Sequence, residues 1–253
     1  MNRRKFLNVA ALATTATLAR GRPAGVAPAT RRMEAVAFDG FAIFDPRPVG
    51  AAAEAAFPGR GAALMSAWRT RQFEYCWLRT LSGTYVNFWQ VTRDALAYAC
   101  TANNLELTPD TRDMLMETYL HLAPWPDVAA TLQSLRSAGV RLSFLSNFTA
   151  AMLDTNIRGA GLQDFFEARL STDDVSAFKP HPRSYQMAVD HFGFPRTAIA
   201  FVAFAGWDAA GAKRFGYPVY WSNRLSQPAE ELGVTADRTS AGLEALAAFV
   251  AGR

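Results

Sequence analysis

Four places along this chain carry residue types that can make and break a bond to a small substrate. Asp39 ends the apolar run Glu34 to Phe38, and Ser146-Asn147 ends the run Val140 to Leu145. Lys179 precedes Pro180, and Asp208 lies just beyond the run Ile199 to Phe204. A carboxylate can serve as nucleophile or base, a lysine is a fixed cation, and a Ser/Asn pair supplies hydroxyl and amide groups. Each feature alone has a plainer reading, since a strand-terminal Asp is often a helix cap and Lys-Pro often a solvated turn. Ligands of open parallel sheets bind at the carboxyl ends of strands, and that rule brings all four to one edge. His121, His181 and His191 are scattered, with no Ser or Cys beside them to suggest a triad, and His181 reads as a solvated loop residue. Cys76 and Cys100 lack metal-ligand spacing and read as small core residues of helices.

The elements that must position these residues fall into two rhythms. From about Ala51 to Leu122, apolar residues recur at helical spacing, as in Ala62, Leu64, Met65, Trp68, Phe73, Trp77 and Leu78. After Pro124-Trp125-Pro126-Asp127 the pattern becomes strand and helix in alternation. Helices are expected over Val128 to Leu135, Ala151 to Ala160, Arg183 to Phe192 and Asp208 to Phe215. Strands are expected over Val140 to Leu145, Phe166 to Leu170, Ile199 to Phe204 and, as the last core strand, Pro218 to Trp221. Such alternation predicts an α/β fold, a Rossmann-like parallel sheet with helices on both faces and an inserted helical domain. The expected divisions are a leader over 1–32, a core over 33–48 and 123–253, and the helical insert over 49–122.

Charge separates the leader from the rest. Seven of the 26 Lys and Arg residues lie in 1–32, which has no Asp or Glu, so the formal +4 of the chain becomes −3 for 33–253. The folded part is mildly acidic, which argues against a nucleic-acid partner despite a sequence pI near 9.3. Asn2-Arg3-Arg4-Lys5-Phe6-Leu7 and the Ala/Thr-rich stretch to Ala19 resemble a twin-arginine signal peptide, too short for a membrane span. The expected location is the periplasm, or the cytoplasm if translation starts at Met33. No stable membrane insertion is expected.

Phe38-Asp39, Leu145-Ser146-Asn147, Lys179-Pro180 and Trp207-Asp208-Ala209-Ala210-Gly211-Ala212 resemble, in order, the four motifs of the haloacid dehalogenase superfamily. Ala56-Phe57-Pro58-Gly59-Arg60-Gly61, Trp68-Arg69, Trp77-Leu78-Arg79, Tyr85-Val86-Asn87-Phe88 and Trp221-Ser222-Asn223-Arg224 resemble its L-2-haloacid dehalogenase branch, and the similarity spans roughly 33–250. The resemblance implies a helical cap over the core. It implies that Asp39 attacks C2 of a 2-haloacid and forms an ester, while Arg69 binds the halogen. Ser146 would hold the substrate carboxylate, and Asn147 and Phe88 would help line the halogen pocket. Lys179 would keep Asp39 ionised with Tyr185 nearby, Asp208 would orient the hydrolytic water, and Phe41 and Trp207 would form apolar walls. No cofactor is implied. Phosphatase relatives place a second Asp two residues after the nucleophile to bind Mg²⁺; here that residue is Phe41, so no metal site is expected. A homodimer is left open.

The chain departs from the branch at three supporting positions. The segment after the nucleophile, Asp39-Gly40-Phe41-Ala42-Ile43-Phe44-Asp45, is one residue shorter than usual and lacks its Thr. Ala203 and Ala205 replace a Ser that touches the lysine and an Asn that helps hold the water. The expected activity is therefore hydrolytic dehalogenation of L-2-haloacids, slowed at ester hydrolysis and with Lys179 less constrained. The alternatives are a catalytically impaired paralogue that binds a small carboxylate and a phosphatase.

Overall fold

A computed structural model describes residues 32–252. The expected twin-arginine segment lies outside the described residues. Strand β1 (Ala35–Phe38) leads into a one-turn helix α1 (Gly40–Ile43). Four helices follow, α2 (Arg47–Ala56), α3 (Gly61–Ser82), α4 (Phe88–Ala102) and α5 (Pro109–Glu117). The chain then alternates through α6 (Val128–Ser137), β2 (Arg141–Ser146), α7 (Ala150–Gly159), β3 (Ala168–Ser171), α8 (Pro182–Phe192), β4 (Ile199–Ala203), α9 (Gly206–Phe215), β5 (Val219–Ser222), β6 (Arg238–Ser240) and α10 (Leu246–Val250).

The strands form one parallel sheet in the order β3-β2-β1-β4-β5-β6. Side chains alternate across it as the period of two requires. Val36 and Phe38 of β1 enter a core with α6, α7 and α10, while Ala35 and Ala37 enter a second core with α8 and α9. Both faces are covered, as expected for a parallel sheet. The strand order reverses at β1, whose neighbours β2 and β4 continue in opposite directions, so a crevice opens at the carboxyl end of β1. Expected strands are met within a few residues. Pro218 to Trp221 is not the last, however, because β5 is followed by β6. That strand is three residues long and reads Arg-Thr-Ser, with no apolar alternation to announce it.

The helices α2–α5 emerge from β1 as a single insertion, beginning four residues earlier than its periodicity suggests because Pro48 fits the first turn of α2. Its stem is a pair of antiparallel segments, with Phe44 bridged to Pro124 and Asp45 N–H donating to Ala123 O at 2.9 Å. Leu64, Trp68, Gln72 and Cys76 form the buried seam of α3 at four-residue spacing. Trp68 Nε1 donates to Thr92 O at 2.8 Å and Gln72 Nε2 to Thr92 Oγ1 at 2.6 Å, locking α3 to α4. Cys76 and Cys100 are buried free thiols, as read from sequence. His181 is not a merely solvated loop residue; its ring accepts from Arg183 N–H at 3.2 Å and caps α8. Among the described residues no helix is long and apolar enough to cross a membrane.

Candidate active site

Asp39 leaves β1 in extended geometry and caps α1, its Oδ2 accepting from Phe41 N–H at 3.0 Å. One carboxylate oxygen is thus fixed by the backbone immediately after it. The other, Oδ1, accepts from Lys179 Nζ at 2.7 Å. Asp39 is 9% exposed, which keeps it at the edge of solvent, whereas Lys179 has no exposure at all. The plain reading of Asp39 as a cap is therefore correct and incomplete, since a cap does not require a buried ammonium.

Lys179 also donates to Asp208 Oδ2 at 2.6 Å, so one cation lies between two carboxylates. Its backbone is fixed where Lys179 N–H donates to Asn147 Oδ1 at 3.0 Å. Burial alone would lower the lysine's pKa, but Asp208 and Asp39 outweigh it and raise the pKa above its usual value. Asp208, on the first turn of α9, is buried, and its carboxyl is pushed up to about 6, with Asp39 adding repulsion and Lys179 and Tyr185 opposing both. Tyr185 donates to Asp208 Oδ1 at 2.7 Å and to Asp208 O at 3.2 Å. Tyr185, expected near Lys179, is placed beside Asp208 on the side away from Asp39. Its ring packs behind Asp208 against Phe201, Phe215 and Tyr217, and it does not line the cavity at Asp39. Gly211 makes that packing feasible, because a Cβ there would stand 2.6 Å from Tyr185 Oη and 2.6 Å from Pro180 Cβ.

Lys179 is held more firmly than the loss of a nearby Ser suggests. Ala203 contributes no hydroxyl, yet the ammonium has two carboxylate partners and the Phe201 ring at 5.1 Å. The expectation of a loosened lysine is corrected accordingly. Ala205 does lie on the cavity wall, with a methyl group where a polar side chain would reach inward.

The cavity at Asp39 is lined by Phe41, Phe73, Phe88, Ser146, Asn147, Phe148, Phe204, Ala205, Trp207 and Asp208 and has about 10 Å³ of free space, on the order of one water. Ser146 Oγ accepts from Phe148 N–H at 3.1 Å and packs against Gly40, where a Cβ would approach it to 2.9 Å. Six aromatic rings surround the carboxylate, including Phe73, Phe148 and Phe204, which sequence reading did not assign to the site. Phe73 could have been found from its place four residues after Arg69 on one helix face, and Phe204 from its position at the end of β4.

Arg69 is near Asp39 without lining its cavity. Met65, Arg69, Phe73 and Trp77 form a second stripe along α3 that faces the core, and Arg69 lines two adjoining cavities of about 270 and 840 Å³. The rings of Phe41, Phe73 and Phe204 are shared between the smaller of these and the Asp39 cavity. The guanidinium lies 5.6 Å from the centroid of Phe204 and makes no ion pair among the described residues. Burial lowers its pKa, with Tyr119 and Asp39 opposing the change.

A carboxylate at the end of the central strand, a Ser/Asn pair, a buried lysine and a second Asp are the four parts in their expected places. A haloacid dehalogenase-like hydrolase profile matches residues 15–216. An (S)-2-haloacid dehalogenase of Pseudomonas sp. (strain YL) is 41% identical over 85% of this chain and 93% of its own. The chain belongs to the haloacid dehalogenase-like hydrolases. Within them it groups with the L-2-haloacid dehalogenases. A haloacetate dehalogenase of Moraxella sp. (strain B) is 38% identical over 87% of this chain and 99% of its own. The solved L-2-haloacid dehalogenase of Xanthobacter autotrophicus with covalently bound chloropropionic acid superposes with a TM-score of 0.80, at 35% identity over 86% of this chain and 98% of the other.

Two residues after Asp39 stands Phe41, and the space between Asp39 and Asp208 is bridged by an ammonium. Among the described residues no group of three or more His, Cys, Asp or Glu is disposed to hold a metal ion.

Proposed function

We propose that this protein hydrolyses L-2-haloacids to 2-hydroxyacids through an ester on Asp39. The observation that carries the proposal is the Asp39–Lys179–Asp208 cluster at the apex of an aromatic cavity, with Phe41 in place of a second acid. An Asp39 oxygen attacks C2 in line and forms a C–O bond. The C2–halogen bond breaks, and its electron pair leaves with the halide, inverting C2. Halide needs no proton to depart, so no acid beside the nucleophile is required. Water then adds to the ester carbonyl as Asp208 accepts one of its protons, Asp208 returns that proton to the C2 oxygen as it leaves as the product hydroxyl, and the carboxyl of Asp39 releases water's second proton to solvent, regenerating the carboxylate.

The remaining roles follow from position. Lys179 orients Asp39 through its 2.7 Å bond to Oδ1. Ser146 and Asn147 face the cavity, where a hydroxyl and an amide can receive the substrate carboxylate. Phe41, Phe88 and Trp207 exclude water from the reacting centre. Arg69 lies beyond the ring wall, and a halide leaving away from Asp39 moves toward it. The cavity is too small for a haloacid as it stands, so Phe73 and Phe204 turn, or the insert shifts as a cap, when substrate enters. The leader is proposed to export the folded protein.

The test is halide release from each enantiomer of 2-chloropropionate, with and without chelator. Release from the L enantiomer alone, unaffected by chelator and absent in Asp39→Asn, supports the proposal. Mg²⁺-stimulated turnover of phosphate esters without halide release would replace it with a phosphatase. Ala205 favours one further reading, a protein that binds a small carboxylate without turning over, since the cavity wall lacks a polar group there. Saturable binding of L-lactate with no halide release would select it.

A further inference from the structure

The turn that carries the nucleophile is tied down from outside itself. Helix α1 is too short to satisfy its own last carbonyls, as any helix of one turn must be. Phe41 O accepts from Trp125 Nε1 at 3.0 Å, Ala42 O from Arg224 Nη2 at 3.3 Å, and Ile43 O from Trp125 N–H at 3.0 Å. Three successive carbonyls are therefore held by two residues, one 84 and the other 182 positions away from its partner in sequence.

These two residues are themselves fixed. The Arg224 guanidinium is 4.7 Å from the Trp125 ring centroid, and Arg47 stands 4.8 Å from the same ring. Arg224 also makes a forked pair with Asp127 at 2.9 and 3.2 Å, and Asp127 in turn accepts from Leu243 N–H at 2.6 Å. The Arg224 side chain is 6% exposed, so the charge is committed to this place. A cation at the carboxyl end of a helical turn is also electrostatically favourable.

We propose that Trp125 and Arg224 are positioning residues for Asp39, setting its line of attack by fixing the turn that follows it. They touch no reacting atom; they act through Phe41, whose N–H holds Asp39 Oδ2 and whose carbonyl is held by Trp125. The segment after the nucleophile is one residue short and lacks the usual hydroxyl, so external anchoring supplies the definition that its own side chains do not. Attack in line at carbon depends on sub-ångström placement, and a small misplacement costs rate far more than binding.

This inference rests on the proposed ester mechanism, and the test separates the two. Trp125→Phe removes one donor and keeps the ring between the two arginines. In a rapid-quench experiment with L-2-chloropropionate, the burst rate should fall about 10- to 100-fold, with burst amplitude and KM within about twofold of the wild type. A purely structural role would lower the amplitude, as fewer molecules fold, and leave the burst rate of the rest unchanged; that result overturns the proposal. Arg224→Lys keeps the charge with a shorter reach and should slow the burst less than Arg224→Gln; equal bursts in the two would also overturn it. If the wild-type protein releases no halide, the ester mechanism fails, and the ¹³C carboxyl resonance of Asp39, assigned with Asp39→Asn, still reports the geometry. A resonance moved in Trp125→Phe supports anchoring, and an unmoved one contradicts it.

Discussion

Lys179 Nζ lies 2.7 Å from Asp39 Oδ1 in surroundings that give the ammonium no access to water. Asp208 at 2.6 Å on the other side helps keep the lysine charged despite its burial. Lys179→Met would leave two carboxylates facing each other across a buried gap. The expected cost is about 3–5 kcal/mol of stability, the range for orphaning a buried charge. Urea unfolding measures it, and halide release should fall below detection.

Asp208 gives the reaction its acid limb. Burial raises its carboxyl to about 6, and the ionised form is the one that can accept a proton from water. Ester hydrolysis is therefore present above pH 6 and lost as pH falls through it. Tyr185 stabilises that ionised form through its 2.7 Å bond, so Tyr185→Phe should move the limb to higher pH and lower the hydrolysis rate at pH 7 about tenfold. Gly211→Ala, whose Cβ would stand 2.6 Å from Tyr185 Oη, should act in the same direction. Stopped-flow measurement of the step after halide release, across pH 5 to 8, checks all three.

Much of this arrangement is legible in the sequence because it depends on short, local patterns. The strands β1, β2 and β4 are apolar runs, and the residues at their ends follow from the rule for parallel sheets. The helical period of 51–122 identifies the insert. What is not legible depends on contacts across the fold. Nothing local places Tyr185 behind Asp208; packing with Phe201 and Tyr217 decides it. Ala203 looks like a loss for Lys179 until the second carboxylate is seen to hold it. Trp125 and Arg224 meet at Asp39's turn from the middle of the chain and from near its carboxyl end, a meeting that no periodicity encodes.

Ala205 remains the one thinned position that faces the cavity. The ester should therefore form faster than it is hydrolysed. Combining Ala205→Asn with Ala203→Ser should raise steady-state turnover by on the order of 10- to 100-fold, the value of a well-placed water, and change the burst little. Comparing burst and steady-state rates in the double variant checks this.

The leader makes an independent prediction. Residues 1–32 fused to a folded reporter should carry it to the periplasm, and replacing Arg3 and Arg4 by Lys should retain it inside. Export that persists without the arginines, or retention with the native leader, contradicts the assignment.

The most direct test of the account is mass spectrometry of the protein quenched milliseconds after mixing with excess L-2-chloropropionate. The account predicts one added 1-carboxyethyl group from the substrate, joined through C2 as an ester on the peptide containing Asp39, appearing with one equivalent of halide and absent with the D enantiomer. Halide released without that adduct would mean water attacks C2 directly, and an adduct on any other residue would mean Asp39 is not the nucleophile.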